Sequence, residues 1–223
     1  SKQRSLLSKS QDGALSIEQE IAALKKTIDL YQNVYKCKLD ETLEQCTAGK
    51  IPAGSVLYRP EVSGRVTSNY GKRSYKLNGR WVSDFHYGTD VAGPYKAKVY
   101  SSGNGVVAAV FKRSSCGGNM VYIQHLVNGT RYTSGYFHLS HVNVRVGDTV
   151  TTDTVIGGVG GNPSIEWWDR CSTGTHLHLQ IAYGLYLEDY YSYSGFESKS
   201  IDPRLVMNLP GVGVWFSSRT TKY

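Results

Sequence analysis

Apolar positions near the start of the chain recur with helical spacing. After a polar stretch over residues 1–13, Ile17, Ile21, Leu24, Ile28, Tyr31 and Tyr35 follow one another in steps of four and three. That places them along one stripe of an α-helix. The stripe is coiled-coil-like but extends only about three heptads, so it is marginal alone and needs a partner surface. The pattern predicts an N-terminal helical segment over residues 1–46. A linker over 47–57 comes next, where Gly49, Pro52 and Gly54 cluster.

Beyond the linker the pattern turns to β. Val106–Phe111 and Met120–Leu126 are rich in β-branched and apolar residues, and Asn128-Gly129 is a two-residue hairpin signal leading into Thr130–Phe137. Short strands are expected within Val142–Val150, which contains a Gly147-Asp148 turn, and at Thr154–Ile156. Thr175–Ala182 forms another. The expected fold class is mainly β, an antiparallel β-sheet domain with a groove, preceded by the α-helical segment. Arg73–Ser83 and Gly160–Gly174 read as long loops lining that groove, the second carrying Trp167-Trp168, which either stacks on a ligand or plugs its own loop. Tyr183–Tyr193 reads as an edge of the fold with some aromatics exposed. Leu205–Tyr223, with Trp215-Phe216, reads as a packed C-terminal extension.

Composition narrows the options. At 223 residues and 40% hydrophobic, the chain holds one sizeable domain plus an appendage. No run approaches the roughly 18 uninterrupted apolar residues of a membrane span. The net charge of +7 suits an anionic partner surface. Nucleic acid is the poorer candidate, because the basic residues are dispersed and no nucleic-acid motif occurs. Residues 1–50 contribute almost none of the excess charge, so it belongs to the β domain. The chain starts at Ser1 with no leader pattern, which makes any signal peptide or anchor something that would precede it.

The chemistry is concentrated in three segments, His86-Tyr-Gly-Thr-Asp90, His138-Leu-Ser140 and His176-Leu-His178. Imidazole and carboxylate are zinc ligands, and spare imidazoles handle protons. Residues two apart on a strand share a face, so His176 and His178 look into one cleft. His86 and Asp90 would lie roughly 13 Å apart on a straight strand, so the chain must bend between them, and Gly88 tolerates a bend.

The ordered series Gly64-Arg-Val-Thr-Ser-Asn-Tyr-Gly71, His86-Tyr-Gly-Thr-Asp90, Gly118-Asn-Met-Val-Tyr-Ile123, Tyr136-Phe-His-Leu-Ser140, Val146-Gly-Asp-Thr-Val150, Ile156-Gly157 and Gly174-Thr-His-Leu-His178 resembles the lysostaphin and LytM type of zinc endopeptidase, which cuts peptidoglycan peptides. The resemblance spans about residues 58–205, and it sets the expected domain bounds at 58–205, with 206–223 as the extension. It implies zinc held by His86, Asp90 and His178, with His138 and His176 as the catalytic histidines that do not ligate the metal. It also implies peptidoglycan peptide stems as substrate and an extracytoplasmic location.

Around the expected cleft, Cys116 and Cys171 lie in two loops, while Cys37 and Cys46 bracket a short segment. Neither pair has the CxxC spacing of a thiolate zinc site. Disulfides Cys37–Cys46 and Cys116–Cys171 are expected, and with them an oxidising compartment. The first requires a helix break, since nine helical residues span about 13 Å, beyond disulfide reach.

In the expected mechanism His176 takes the water proton and passes it to the leaving amine, and His138 donates to the oxyanion or steadies the water. Asp84 is a candidate to orient a ligand. His125 and His141 are expected at the surface. The N-terminal helix is either a packing element, a self-inhibiting one, or the docking surface for a protein partner. The rival reading is a zinc-retaining scaffold that activates another cell-wall hydrolase. A lipoyl-type carrier domain fails, because Thr151-Thr-Asp-Thr154 offers no lysine.

Overall fold

The computed structural model describes residues 25–220 except 26, 27, 39, 42–44, 46–48, 78, 188 and 191. Its strands are β1 (Ala53–Gly54), β2 (Gly64–Ser68), β3 (Gly71–Leu77), β4 (Arg80–His86), β5 (Thr89–Ala92), β6 (Lys98–Tyr100) and β7 (Gly105–Ser114). They continue as β8 (Gly118–Val127), β9 (Thr130–Val142), β10 (Thr149–Val150), β11 (Val155–Val159), β12 (Leu177–Tyr183), β13 (Ser200–Ile201) and β14 (Trp215–Phe216). A short α-helix, α1, runs Tyr193–Ser198. The main sheet takes the path β10-β7-β8-β9-β12-β5-β2-β14, and β3 and β4 form a separate hairpin.

Alternation along the central strands creates two apolar faces. Val121 and Ile123 of β8 and Leu177, Leu179 and Ile181 of β12 enter one core, with Tyr136, Leu139 and Ile156. The intervening Met120 and Tyr122 face the other side, where Phe137, Tyr186 and Phe196 pack around them. Because Leu177 and Leu179 are wholly buried in the first core, His176 and His178 must point to the second face, where the groove lies. Asn128 and Gly129 both have positive φ, 48° and 78°, the backbone of a tight turn whose twist matches its flanking strands.

The mainly antiparallel β architecture matches the expectation from the sequence; among the described residues there is no coiled-coil helix. Ile17, Ile21 and Leu24 lie outside the described residues, as does Cys46 and therefore the expected Cys37–Cys46 bridge. Of the later stripe positions, Ile28 is half exposed, whereas Tyr31 and Tyr35 are buried against the groove-side core. Their local backbone, Leu30–Val34, is a single π turn. The Tyr35 hydroxyl donates to Gln124 Oε1, a side chain that itself donates to the Tyr186 carbonyl at 2.6 Å.

Three expectations need correction. Arg73–Ser83 is the β3–β4 hairpin, in register from Gly71↔His86 to Leu77↔Arg80, and not a loop. His125 is buried, held between the Asn104 carbonyl at 2.8 Å and Ser134 Oγ at 2.7 Å. Burial pushes its imidazole down to about 4. It shares parity with Val121 and Ile123, so the strand's own alternation carries it inward; His141, by contrast, is exposed. Among the described residues of 183–193, Leu185, Tyr186, Leu187 and Tyr190 are core residues, while Tyr183 and Tyr193 are half exposed. The C-terminal stretch packs on the domain, where β14 extends the main sheet beside β2. Beyond β14, Arg219 fastens the chain to the domain by donating to the carbonyls of Arg59, Thr152 and Ser101.

Candidate metal centre and active groove

A groove of about 670 Å³ runs along the second sheet face. All five histidine and aspartate positions singled out in the sequence line it: His86, Asp90, His138, His176 and His178.

Two strands bring the first three together. β5 and β12 are antiparallel neighbours in which Asp90 and His178 are direct Cα partners. Val91 is buried on the opposite face of β5, which turns Asp90 towards the groove. His86 ends β4, and Tyr87-Gly88 separates it from β5, supplying the required bend. Gly88 is needed there for a different reason from the one its sequence position suggests. A Cβ at Gly88 would lie 2.5 Å from the Leu179 carbonyl oxygen and 2.7 Å from the His178 ring, so only glycine lets the strand come this close.

The resulting triangle is tight. His86 Nε2 lies 3.0 Å from His178 Nδ1 and 3.1 Å from Asp90 Oδ1, and His178 Nδ1 lies 3.0 Å from Asp90 Oδ1. A tetrahedral zinc ion with bonds of about 2.0–2.1 Å separates its ligand atoms by about 3.3 Å. The three donor atoms therefore fit one face of such a tetrahedron after a shift of a few tenths of an ångström, and among the described residues this is the one His/Asp group so disposed. The outer contacts suit it as well. His86 Nδ1 donates to the Asn69 carbonyl at 2.9 Å, which leaves Nε2 with its lone pair free for a ligand bond. Burial alone would raise the Asp90 carboxyl, but its contacts with His178 and His86 outweigh it and hold the group well below the usual carboxylate range. Burial lowers the His178 and His176 imidazoles, with Asp90 opposing it, so both favour the neutral form that a ligand or a proton acceptor requires.

Arg73 bridges this centre to the hairpin. It pairs with Asp84 at 2.7 Å and approaches Asp90 Oδ2 at 3.4 Å. Asp84, the candidate to orient a ligand, thus reaches Asp90 only by way of Arg73. Gln180, two residues beyond His178 on the same face, places Oε1 3.5 Å from His178 Nε2. Strand parity was the signal for Gln180; nothing in the spacing pointed to Arg73 or Asn69.

The other two histidines stand beside the triangle. His176 Nδ1 donates to the Gly174 carbonyl at 2.7 Å and its Nε2 lies 3.8 Å from Asp90 Oδ1. His138 lies beside it, ring centroids 4.7 Å apart and planes tilted by 48°. Phe137 and His138 are consecutive yet both line the groove, which strict alternation forbids. The register resolves this: between Asn119↔Leu139 and Val121↔Tyr136 strand β9 carries one extra residue, and His138 takes a left-handed φ of 58°. This β-bulge re-aims its side chain. Cys116 and Cys171 are joined as expected, at the rim of the groove. Trp167 is exposed, while Trp168 packs under the Arg113 guanidinium.

Fold and site together define a β-sheet domain built around a histidine- and aspartate-lined groove suited to a catalytic metal. The sequence profile of peptidase family M23 matches residues 84–202, and the chain belongs to that family. It is similar to the peptidoglycan DD-endopeptidase ShyA of Vibrio cholerae, 34% identical over 124 residues that make up 56% of this chain and 26% of that protein. It is also similar to the cell division protein DipM of Caulobacter vibrioides, 25% identical over 150 residues, 64% of this chain and 22% of that one. The chain thus spans about a quarter of the length of these curated relatives. Among solved structures, lysostaphin from Staphylococcus simulans shares the fold with a TM-score of 0.50 at 24% identity, covering 68% of this chain and 54% of that one.

Proposed function

We propose that this chain is a zinc-dependent endopeptidase that hydrolyses peptide cross-links of bacterial peptidoglycan. The observation that carries the reading is the 3.0–3.1 Å triangle of His86 Nε2, Asp90 Oδ1 and His178 Nδ1, set in a groove beside two histidines that are not needed as ligands. His86, Asp90 and His178 would hold the ion, which when bound supplies an acidified water and polarises the scissile carbonyl. His176 keeps its Nδ1 proton on Gly174 and so offers Nε2 to accept the water proton and return it to the leaving amine. His138 steadies the water or donates to the oxyanion as charge develops. The apolar side of the groove, Met120, Tyr122 and Phe137, gives an extended peptide a dry wall.

Peptidoglycan stems as substrate are supported by family membership and by the named activity of ShyA. An extracytoplasmic location is supported by the Cys116–Cys171 disulfide and by the position of that substrate outside the cytoplasmic membrane. Among the described residues no helix is long and apolar enough to cross a membrane. The N-terminal segment docks on the groove's own sheet face, Tyr35 meeting Gln124 on the strand that also supplies Met120 and Tyr122. That placement supports the packing role for it.

The test is to incubate the zinc-loaded chain with purified cross-linked muropeptides and analyse products by mass spectrometry, with a chelated control. Chelator-sensitive conversion of dimers to monomers is expected. A chain that binds zinc yet leaves dimers intact would favour the scaffold reading instead.

A further inference from the structure

The loop of residues 160–174 carries a buried carboxylate that the proposed hydrolysis leaves unexplained. Asp169 is 3% exposed and its Oδ2 lies 2.6 Å from His138 Nδ1. Its other oxygen accepts the Gly117 N–H at 3.3 Å. Gly118, with φ of 62°, leaves room for the carboxylate: a Cβ there would sit 2.5 Å from Asp169 Oδ2. Two further links bind the loops on either side of the imidazole, the Arg170 N–H to the Ser115 carbonyl at 2.9 Å and the Cys116–Cys171 disulfide. Asp169 is thus held against one nitrogen of one histidine by its Gly117 contact and by the two links that follow it in the chain.

We propose that Asp169 is the positioning residue of His138, delivered by a disulfide-tethered loop, and that it fixes which ring nitrogen faces the groove. An ionised carboxylate can only accept, so Nδ1 must carry the hydrogen. Nε2 is then the ring nitrogen left to the groove, as a lone pair that holds the attacking water or, once protonated, as the donor to the oxyanion. Without a partner at Nδ1 the imidazole could turn about χ2. The buried contact at Nδ1 removes that freedom, as the buried aspartate does in the serine-protease triad. The kinetic part of this proposal rests on the endopeptidase reading; the tautomer does not.

Two variants of the full chain separate positioning from plain structure. In Asp169→Asn the amide carbonyl still accepts from Gly117, so the loop stays closed, but the NH2 group faces Nδ1 and forces the hydrogen onto Nε2. Asp169→Ala removes the contact. Histidine ¹⁵N–¹H correlation spectra, with the His138 signals assigned by their loss in His138→Ala, read the tautomer directly. We expect Nδ1–H in the wild type and Nε2–H in Asp169→Asn. On cross-linked muropeptides both variants should lose about 10²-fold or more in kcat while KM stays within about threefold. A wild-type His138 protonated on Nε2, or an Asn variant with wild-type kcat, would overturn the proposal. A wild type that shows Nδ1–H but cleaves nothing would instead overturn the endopeptidase function and leave the coupling of Asp169 to His138 standing.

Discussion

Asp90 and His178 are direct partners across the β5–β12 pair, with His178 Nδ1 3.0 Å from Asp90 Oδ1. Adjacent antiparallel strands hold facing side chains at a spacing set by the backbone, so this half of the centre is built into the sheet. His86 alone arrives from another element, the end of the β3–β4 hairpin.

The purified chain is therefore expected to bind one zinc ion, and Asp90→Ala or His178→Ala to reduce bound zinc to a small fraction of that, measured by elemental analysis after dialysis. Either variant retaining a full equivalent would show that the ion is held elsewhere.

His176→Ala should keep the zinc and lose turnover, by about 10²–10⁴-fold, because its Nδ1 is committed to Gly174 and its Nε2 is 3.8 Å from the nearest Asp90 oxygen. Zinc content and muropeptide kinetics on the same preparation decide this. Loss of metal in step with loss of rate would make His176 a ligand.

Gly88→Ala places a methyl against the Leu179 carbonyl and the His178 ring. The strands must part, and we expect a stability loss of about 1–3 kcal/mol together with zinc affinity weakened at least about tenfold. Thermal melts with and without zinc measure both; a wild-type melt in both conditions would contradict the close approach.

Tyr35→Phe removes the donor from the buried Gln124 Oε1. An orphaned acceptor costs about 1–3 kcal/mol, which urea denaturation should register as a lower midpoint at unchanged slope. No change would mean that the N-terminal segment is not seated on the domain in solution.

Glu61 is buried, and neither carboxyl oxygen has a hydrogen-bond partner among the described residues. Burial pushes this carboxyl well above its ordinary value of 4.5. As pH rises past that value the unfolded chain releases its proton first, so the wild type loses stability with rising pH until the folded-state group ionises too. Glu61→Gln is exempt from this loss. The melting temperature of the variant relative to wild type should climb between pH 4 and pH 7, by at least about 3 °C; a constant gap would show that Glu61 titrates alike in both states.

Much of this centre is legible in the chain alone. His176 and His178 share a face because residues two apart on a strand always do, and the bend between His86 and Asp90 is a consequence of extended-chain length. His125 could have been placed by the same parity, since Val121 and Ile123 carry the β8 core face on which it falls. The N-terminal stripe shows the limit of such reading: helical spacing describes a face, not its partner, and Tyr31 and Tyr35 find theirs on a sheet.

The sequence by itself determined the strands that carry the centre, because strand period is a local property, and its ordered motifs implied the donor set through their resemblance to a known family. Only the tertiary structure decided that β9 gains a residue at Phe137–His138, that Arg73 links Asp84 to Asp90, and that Asp169 reaches His138 across 31 positions. Those contacts depend on where a loop closes and how a register shifts. Such choices are made by long-range packing and by the Cys116–Cys171 crosslink, and they leave no period in the chain to read.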